Sequence, residues 1–348
     1  MELSDSEVPC SIKGIKVGII YNLKKEGNHK TQDEQAEYDN IETVYSISRA
    51  LAKKGHRIIL FEADTNLVEN LKQTPIDIAF NIAEGIGGRS REGQVPAILE
   101  MLGIPHTGSD ATALCISLDK ALTKRLVSTC NVRTPKFAII SKDTPYSLKG
   151  MNYPLIVKPN AEGSSKGISS FAVVKDKKEL HTLLERNFSF YGGQMLVEEY
   201  IEGREFTVGV IGNGRDRIVF PPMEIIYKKP TQDNFHVYSF PVKQAYNEFV
   251  EYKSPADIDD NINNQLIYFT KKVCDTLGCY DFSRVDFRVS AEGRAYFIEI
   301  NPLPGLAEGY SDYPMLAAFN GVDYDSLVNA ILDTALMRYG FSPSKAGE

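Results

Sequence analysis

Apolar residues in the first hundred positions occur as short unbroken runs separated by stretches with helical period. Lys16–Tyr21 is such a run, suited to a buried strand, and residues 56–61 and 76–81 have the same character. Val44, Ile47 and Leu51 share one face of a helix predicted over 41–54, with Gly55 as its stop. Helices at 67–71 and at 94–102, the latter ended by Gly103, complete an alternation of strands and helices. That order predicts an open parallel sheet over residues 12–108. Beyond it the pattern changes. A helix over 117–130 is followed by strands at 136–140, 155–158, 169–174, 194–200, 206–211, 217–220, 284–289 and 295–301. Helices at 178–185, 262–277 and 324–339 accompany them, so this part reads as α+β with mostly antiparallel sheets. Residues 227–254 show little regular patterning. A connection that long in a compact protein is a lid or binding loop, and Phe235, Tyr238, Phe240 and Tyr246 give it aromatic anchors. The tail 342–348 is expected to fray.

The 348 residues suffice for two or three domains. The net charge of −7 argues against a general nucleic-acid binder and against attachment to an anionic membrane, while leaving room for a local basic pocket. Five cysteines (Cys10, Cys115, Cys130, Cys274, Cys279), an odd number without C-x-x-C, fit reduced thiols rather than a disulfide framework. The five histidines (His29, His56, His106, His181, His236) form no short pair with each other or with cysteine, which weighs against zinc. The polar, acidic start is no signal peptide. No apolar run approaches the ~20 residues that span a membrane. A cytoplasmic protein is expected.

The densest candidate chemistry is Arg284-Val-Asp286-Phe287, followed by Phe297-Ile-Glu299-Ile-Asn301-Pro302. Strand side chains alternate between faces, so Arg284 and Asp286 share one face of their strand, and Glu299 and Asn301 share one face of the next. With 291–294 as a hairpin loop, Asp286 lies opposite Glu299 and Arg284 opposite Asn301. Hard oxygen ligands in that arrangement suit Mg²⁺, which takes few protein ligands and fills its shell with water and phosphate. An exposed hairpin with a charged solvent face fits the same residues. Val157-Lys158-Pro159 runs into a small polar loop bearing Gly163, Ser164, Ser165 and Gly167, whose backbone N–H groups and hydroxyls suit a phosphate. An ordinary surface loop is the alternative. There is no Walker A loop, and Gly85-Ile-Gly87-Gly88-Arg89-Ser90 lacks the third Gly of a dinucleotide fingerprint. The apolar strand ending in Glu198-Glu199-Tyr200-Ile201, before Glu205, suits an adenine edge and a ribose, or is simply an acidic strand end. Lys120 opens a helix behind Ser117, a plausible N-cap.

In this order Lys120, Lys158, the 163–167 loop, Glu198 to Glu205, Lys243, Arg284, Asp286, Glu299 and Asn301 resemble the ATP-grasp superfamily, and most closely the D-alanine–D-alanine ligase family. The resemblance runs from Ile15 into the neighbourhood of Phe319. It also rests on Gly103-Ile-Pro-His-Thr-Gly108-Ser109, Leu118-Asp-Lys120, Glu162-Gly-Ser-Ser165, Glu205-Phe-Thr-Val208 and Pro304-Gly305. It implies an ATP-grasp fold with an N-terminal Rossmann-like substrate domain (12–108). A central subdomain with the phosphate loop (109–202) and a C-terminal subdomain with metal site and lid (203–340) would follow. It implies Lys120 and Lys158 on the ATP phosphates, Glu198 with the backbone of Glu199 to Ile201 at the adenine, Glu205 on the ribose hydroxyls, and Ser164 and Ser165 over the γ-phosphate. Asp286, Glu299 and Asn301 would hold two Mg²⁺ ions, with Mn²⁺ as a substitute. Arg284 would stabilise a tetrahedral oxyanion, with Ser164, Lys243 and Gly305 also serving the chemical step.

The implied activity is an ADP-forming carboxylate–amine ligase that joins two amino acids through an acyl phosphate, in peptidoglycan synthesis and as a homodimer. A ligase for a specialised peptide or non-alanine substrate is the alternative. A non-catalytic nucleotide-binding protein is a remoter one, against which Arg284 speaks. Four positions depart from the family's pattern, all where the amino acids bind. Tyr21-Asn-Leu-Lys-Lys25 replaces a Gly-Gly-x-Ser-x-Glu segment, leaving Glu37 or Asp39 as the amine-binding acid. Ala83-Glu84-Gly85 replaces a His-Gly, Lys243-Gln244 a Lys-Tyr pair in the lid, and Gly309-Tyr310 or Tyr310-Ser311 falls where a Ser-Leu grips the second substrate's carboxylate. Glu37, Glu84, Lys243, Gln244 and Tyr310 are the expected substrate contacts, and D-alanine is expected to be at best a moderate substrate.

Overall fold

The computed structural model describes residues 14–25, 35, 37–163, 172–231 and 234–341. The apolar run at Lys16–Tyr21 is strand β1, buried throughout after Lys16. It is followed by α1 (Ile41–Lys53), β2 (Arg57–Glu62), α2 (Leu67–Gln73), β3 (Ile78–Asn81) and α3 (Gln94–Leu102). The three strands pair in parallel with β1 central, in the order β2-β1-β3. Gly103 sits at φ 68°, the left-handed conformation that ends α3.

The helix expected over 117–130 is two helices. α4 (Ala111–Leu118) stops and α5 (Lys120–Thr129) starts at Asp119. The Asp119 carboxylate accepts from the Leu122 N–H at 3.0 Å and from Asn160 Nδ2 at 2.8 Å. Asp119, and not Ser117, is therefore the N-cap. The cause is tertiary, because Asn160 also takes the Lys120 N–H on its carbonyl at 3.0 Å and the Ala121 N–H on Oδ1 at 2.9 Å. β4 (Phe137–Ser141), β5 (Leu155–Pro159), β6 (Val173–Val174), α6 (Lys177–Tyr191) and β7 (Gln194–Glu199) follow. Their strands form an antiparallel sheet in the order β4-β7-β5-β6. α6 continues to Tyr191 instead of ending at 185, since Phe188 and Tyr191 pack on the cluster around Val157 and Leu180. The strand expected at 169–174 lies largely outside the described residues.

A third unit holds β8 (Arg204–Ile211), β9 (Ile218–Val219), β10 (Met223–Tyr227), α7 (Phe240–Gln244), α8 (Tyr246–Phe249), β11 (Val250–Lys253), α9 (Asp260–Leu277), β12 (Phe282–Val289) and β13 (Ala295–Asn301). Its sheet runs β11-β10-β8-β12-β13, with β9 on β8. Residues 227–254 are thus more regular than their pattern suggests. α7 and α8 span five and four residues, too short to show a period. They are held by Tyr238, Tyr246 and Tyr252 packed around Ile225, Val242 and Val250. α10 (Asp312–Phe319) and α11 (Tyr324–Arg338) close the chain. α10 escapes the sequence pattern because Pro314 interrupts its reading as a helix. It lies close over β8 at Gly209, where a Cβ would come within 2.3 Å of Leu316. Tyr313, Leu316 and Leu332 from these two helices share one apolar cluster with Val17, Ile19, Val44 and Leu51 of the first sheet and α1.

Candidate functional site

β12 and β13 pair with Arg284 opposite Asn301 and Asp286 opposite Glu299, as the alternation predicts. The loop between them takes in Ser290 as well as 291–294, and a β-bulge beside Asp286 absorbs the extra residue. On the other side of β12, Thr207 of β8 lies beside Asp286. Asp286 is heavily bonded. Oδ1 accepts from Thr207 Oγ1 at 2.6 Å and Arg284 Nε at 3.0 Å, and Oδ2 from Arg284 Nη2 at 2.9 Å and Asn301 Nδ2 at 3.2 Å. Arg284 Nη1 reaches Asp312 Oδ2, in the first turn of α10, at 3.2 Å. Burial works against the Arg284 charge, but Asp286 and Asp312 outweigh it and raise its pKa.

Lysines face this carboxylate patch. Lys120 Nζ, at the start of α5, lies 3.4 Å from Glu299 Oε2 and donates to the Glu162 carbonyl at 2.5 Å. Burial alone would push the Glu299 pKa up, yet Lys120, Lys158 and Arg284 together hold it down at about 2. Lys158 Nζ, near the end of β5, is 2.7 Å from Glu198 Oε1, and Lys124 Nζ of α5 is 2.9 Å from Glu198 Oε2. All three are buried. The Glu198 carboxylate, expected at the adenine, is thus committed to two lysines, whose charges overcome burial and lower its pKa. Burial, against the pull of Glu198, brings Lys124 down to about 8. The Glu199 carboxylate turns to the Asn152 N–H at 2.8 Å, leaving backbone at Glu199 and Ile201 along the cleft. Glu205 Oε2 accepts from Tyr227 OH at 2.8 Å and Arg288 Nη1 at 3.4 Å. Burial raises the Glu205 pKa in spite of Arg288.

A second cluster of acids joins Glu37, Glu84 and Glu92, with carboxylate oxygens within 4.8 Å of one another. Glu37 is occupied: it accepts from Arg91 Nε at 3.0 Å, from Arg91 Nη2 at 2.5 Å and from the Gly163 N–H at 2.5 Å. Among the described residues no hydrogen-bond donor meets Glu84 or Glu92. Burial and the neighbouring acids raise Glu92 to about 7 and Glu84 well above the ordinary carboxylate range. Burial likewise brings Asp39 to about 7. Lys243 and Gln244 of α7, Gly305 and Tyr310 line the same cleft. Burial lowers the Lys243 pKa despite nearby Asp312. Tyr310 stands edge-on to Tyr246, ring centres 6.3 Å apart. Every expected site residue within the described residues therefore borders one cleft of about 490 Å³, in the range of small-molecule sites. Ser164 and Ser165 lie outside the described residues. Arg91, Glu92, Lys124, Arg288 and Asp312 were not foreseen. The alternation along β12 that marks Arg284 and Asp286 extends to Arg288, so that residue at least had a signal.

Residues 130–333 match the family model described as D-ala D-ala ligase C-terminus. The chain is 32% identical over 294 residues to a D-alanine–D-alanine ligase of Aquifex aeolicus, a match covering 84% of this chain and 94% of that protein. A D-alanine–D-alanine ligase of Pseudomonas entomophila is 32% identical over 298 residues, covering 85% of this chain and 88% of that one. Among solved structures, the D-alanine–D-alanine ligase of Bacillus anthracis complexed with ATP superposes with a TM-score of 0.73 at 24% identity, covering 93% of this chain and 98% of that chain.

Proposed function

This chain belongs to the D-alanine–D-alanine ligase family, with the ATP-grasp fold, and from that premise we propose that it joins the carboxylate of one amino acid to the amine of another, converting ATP to ADP and phosphate. The observation that carries this reading is the approach of Lys120 to Glu299 at 3.4 Å. There the cationic groups of α5 and β5 meet the carboxylate patch of β12 and β13, as a polyphosphate with a cation requires.

Lys120 and Lys158 would face the phosphate oxygens, and Glu205 the ribose. Asp286, Glu299 and Asn301 are hard oxygen donors, and Asn301 spends its amide N–H on Asp286, which leaves its carbonyl oxygen for a ligand. That donor set fits a divalent cation such as Mg²⁺, and two ions are the proposed complement. Such ions, when bound, would offset the charge on the transferring phosphoryl group. A substrate carboxylate oxygen attacks the γ-phosphorus, ADP leaves, and an acyl phosphate forms. The second substrate's amine then attacks the acyl carbon, the bond to phosphate breaks, and the nitrogen loses a proton to become the amide. Arg284 has five N–H donors, of which three are used on Asp286 and Asp312. The remaining two are available to the tetrahedral oxyanion. The described residues of 227–254, with Lys243 and Gln244, would keep water from the acyl phosphate.

Because Glu37 is taken up by Arg91 and Gly163, a substrate ammonium would meet Glu84 and Glu92. This favours a specialised amino acid or peptide over D-alanine, with Tyr310 near the acceptor. We propose a homodimer, as the family resemblance implies, with sedimentation equilibrium as its check. The four described cysteines are free, in keeping with a cytoplasmic setting. No helix among the described residues is long and apolar enough to cross a membrane. A screen of amino-acid pairs for ADP release, with mass spectrometry of the products, tests the reading. Amide products from some pair are expected; ADP release that no amino acid stimulates would overturn it.

A further inference from the structure

Arg288 follows Arg284 and Asp286 on the cleft face of β12 and pairs across to Glu205 on β8. An arginine only 7% exposed needs a full set of acceptors, and four surround this one. Nη1 donates to the His236 carbonyl at 2.9 Å and to Glu205 Oε2 at 3.4 Å. Nη2 donates to Tyr200 OH at 3.2 Å and to the Gly203 carbonyl at 3.1 Å. Its guanidinium also lies 4.7 Å from the centre of the Tyr200 ring.

His236 belongs to the lid segment, and it is gripped from several sides. Its carbonyl accepts from Tyr200 OH at 3.0 Å, and its N–H donates to the same hydroxyl at 3.1 Å. Its ring stacks on Tyr227 at 5.0 Å, and Tyr227 OH donates to Glu205 Oε2. Both routes from His236, through Arg288 and through Tyr227, end on one oxygen of Glu205. Arg288 Nε is enclosed and offers the cleft no surface. One acceptor is left over at this point. Glu205 Oε1 accepts no hydrogen bond among the described residues. Both residues line the cleft. Glu205 Oε1, on the carboxylate whose other oxygen Arg288 and Tyr227 hold, is the acceptor that suits a ribose hydroxyl.

We propose that Arg288 is a positioning residue that holds Glu205 for the ribose diol of the nucleotide and pins the lid through His236, so that the lid shuts tightly only over a nucleotide carrying both hydroxyls. This rests on the reading of the cleft as a nucleotide site, but its test does not need turnover. Amide hydrogen exchange at 234–239 is measured with a non-hydrolysable ATP analogue and with its 2′,3′-dideoxy counterpart. In the wild type the diol is expected to slow exchange roughly tenfold more, the effect of about one hydrogen bond. Arg288→Met, folded by circular dichroism, is expected to lose that difference. It is also expected to release more than one ADP per amide bond formed, as water reaches the acyl phosphate. Where Met does not fold, Arg288→Lys keeps the charge without the planar fork and is expected to lose the difference too. A folded variant that keeps the diol-dependent protection overturns the proposal. Absence of amino-acid-stimulated ADP release, with the exchange difference intact in the wild type, would instead overturn the ligase reading alone.

Discussion

Glu299 is surrounded by Lys120, Lys158 and Arg284, and its pKa of about 2 is the electrostatic consequence. Glu299→Gln keeps the shape and removes the charge those cations face. It is expected to abolish ADP release with the fold intact by circular dichroism, as excess chelator should in the wild type; activity surviving either treatment would remove the metal assignment. Arg284→Ala is expected to lower kcat by ~10² or more, the scale of a lost oxyanion donor, with ATP affinity in equilibrium binding little changed. A rise in KM for ATP alone would make Arg284 a nucleotide clamp instead. Glu92 differs in sign. Its folded pKa of about 7 lies above the ordinary 4.5, so between those values the folded protein keeps a proton that the unfolded chain has released. Its contribution therefore becomes unfavourable as pH rises from 4.5 through 7. Glu92→Gln should raise Tm at pH 8 and give a gain that shrinks toward zero near pH 4.5. Melting curves at pH 8, 6 and 5 check this, and a gain independent of pH would show that the carboxylate's charge is not the cause.

Secondary elements position these groups in ways of differing legibility. The β12–β13 hairpin could be read residue by residue, because period-2 alternation and a short loop set the register locally. The break between α4 and α5 could not, since Asn160, far along the chain, supplies the bonds that hold Asp119 and aim Lys120. α10 is positioned by packing. Gly209 lets it sit on β8, and that places Asp312 against Arg284. Gly209→Ala would put a Cβ 2.3 Å from Leu316 Cδ2 and force the helix outward. The expected cost is about 1–3 kcal/mol in chemical denaturation, with kcat falling more than KM for ATP rises. An unchanged kcat in the folded variant would mean that Asp312 does not govern how Arg284 is held.

Across the whole molecule, the cleft gathers side chains from two sheets, from α5 and from segments flanking the first sheet. The lysines proposed to face ATP come from α5 and β5, the carboxylate patch from β12 and β13, and the acids of the proposed amine end are Glu37, Glu84 and Glu92. The proposed amino-acid end of the cleft, with Glu84, Gln244 and Tyr310, departs from the family pattern and sets the expected substrate. A site built around unpaired carboxylates suits a substrate that brings them cations, and discriminates against one that leaves them buried and unpaired. D-alanine should therefore be at best a moderate substrate, and Tyr310→Ser with Glu84→His should improve its use. Steady-state kinetics check both. Wild-type synthesis of D-alanyl-D-alanine with kcat/KM of ~10⁴ M⁻¹s⁻¹ or above would sink this idea of a rewritten substrate end.

Local order was written in the chain. The buried run of β1, the stop at Gly103 and the facing of Arg284, Asp286, Glu299 and Asn301 follow from periodicity and glycine conformation, which act between near neighbours. The tertiary structure decided everything that depends on which distant groups meet. It committed Glu198 to Lys124 and Lys158, occupied Glu37 with Arg91, and left Glu84 and Glu92 without donors among the described residues. The physical reason is that a carboxylate's proton affinity and partners are set by burial and by charges within a few ångströms, and the partners of Glu37 stand 54 and 126 residues away in the chain, so only folding brings them to it.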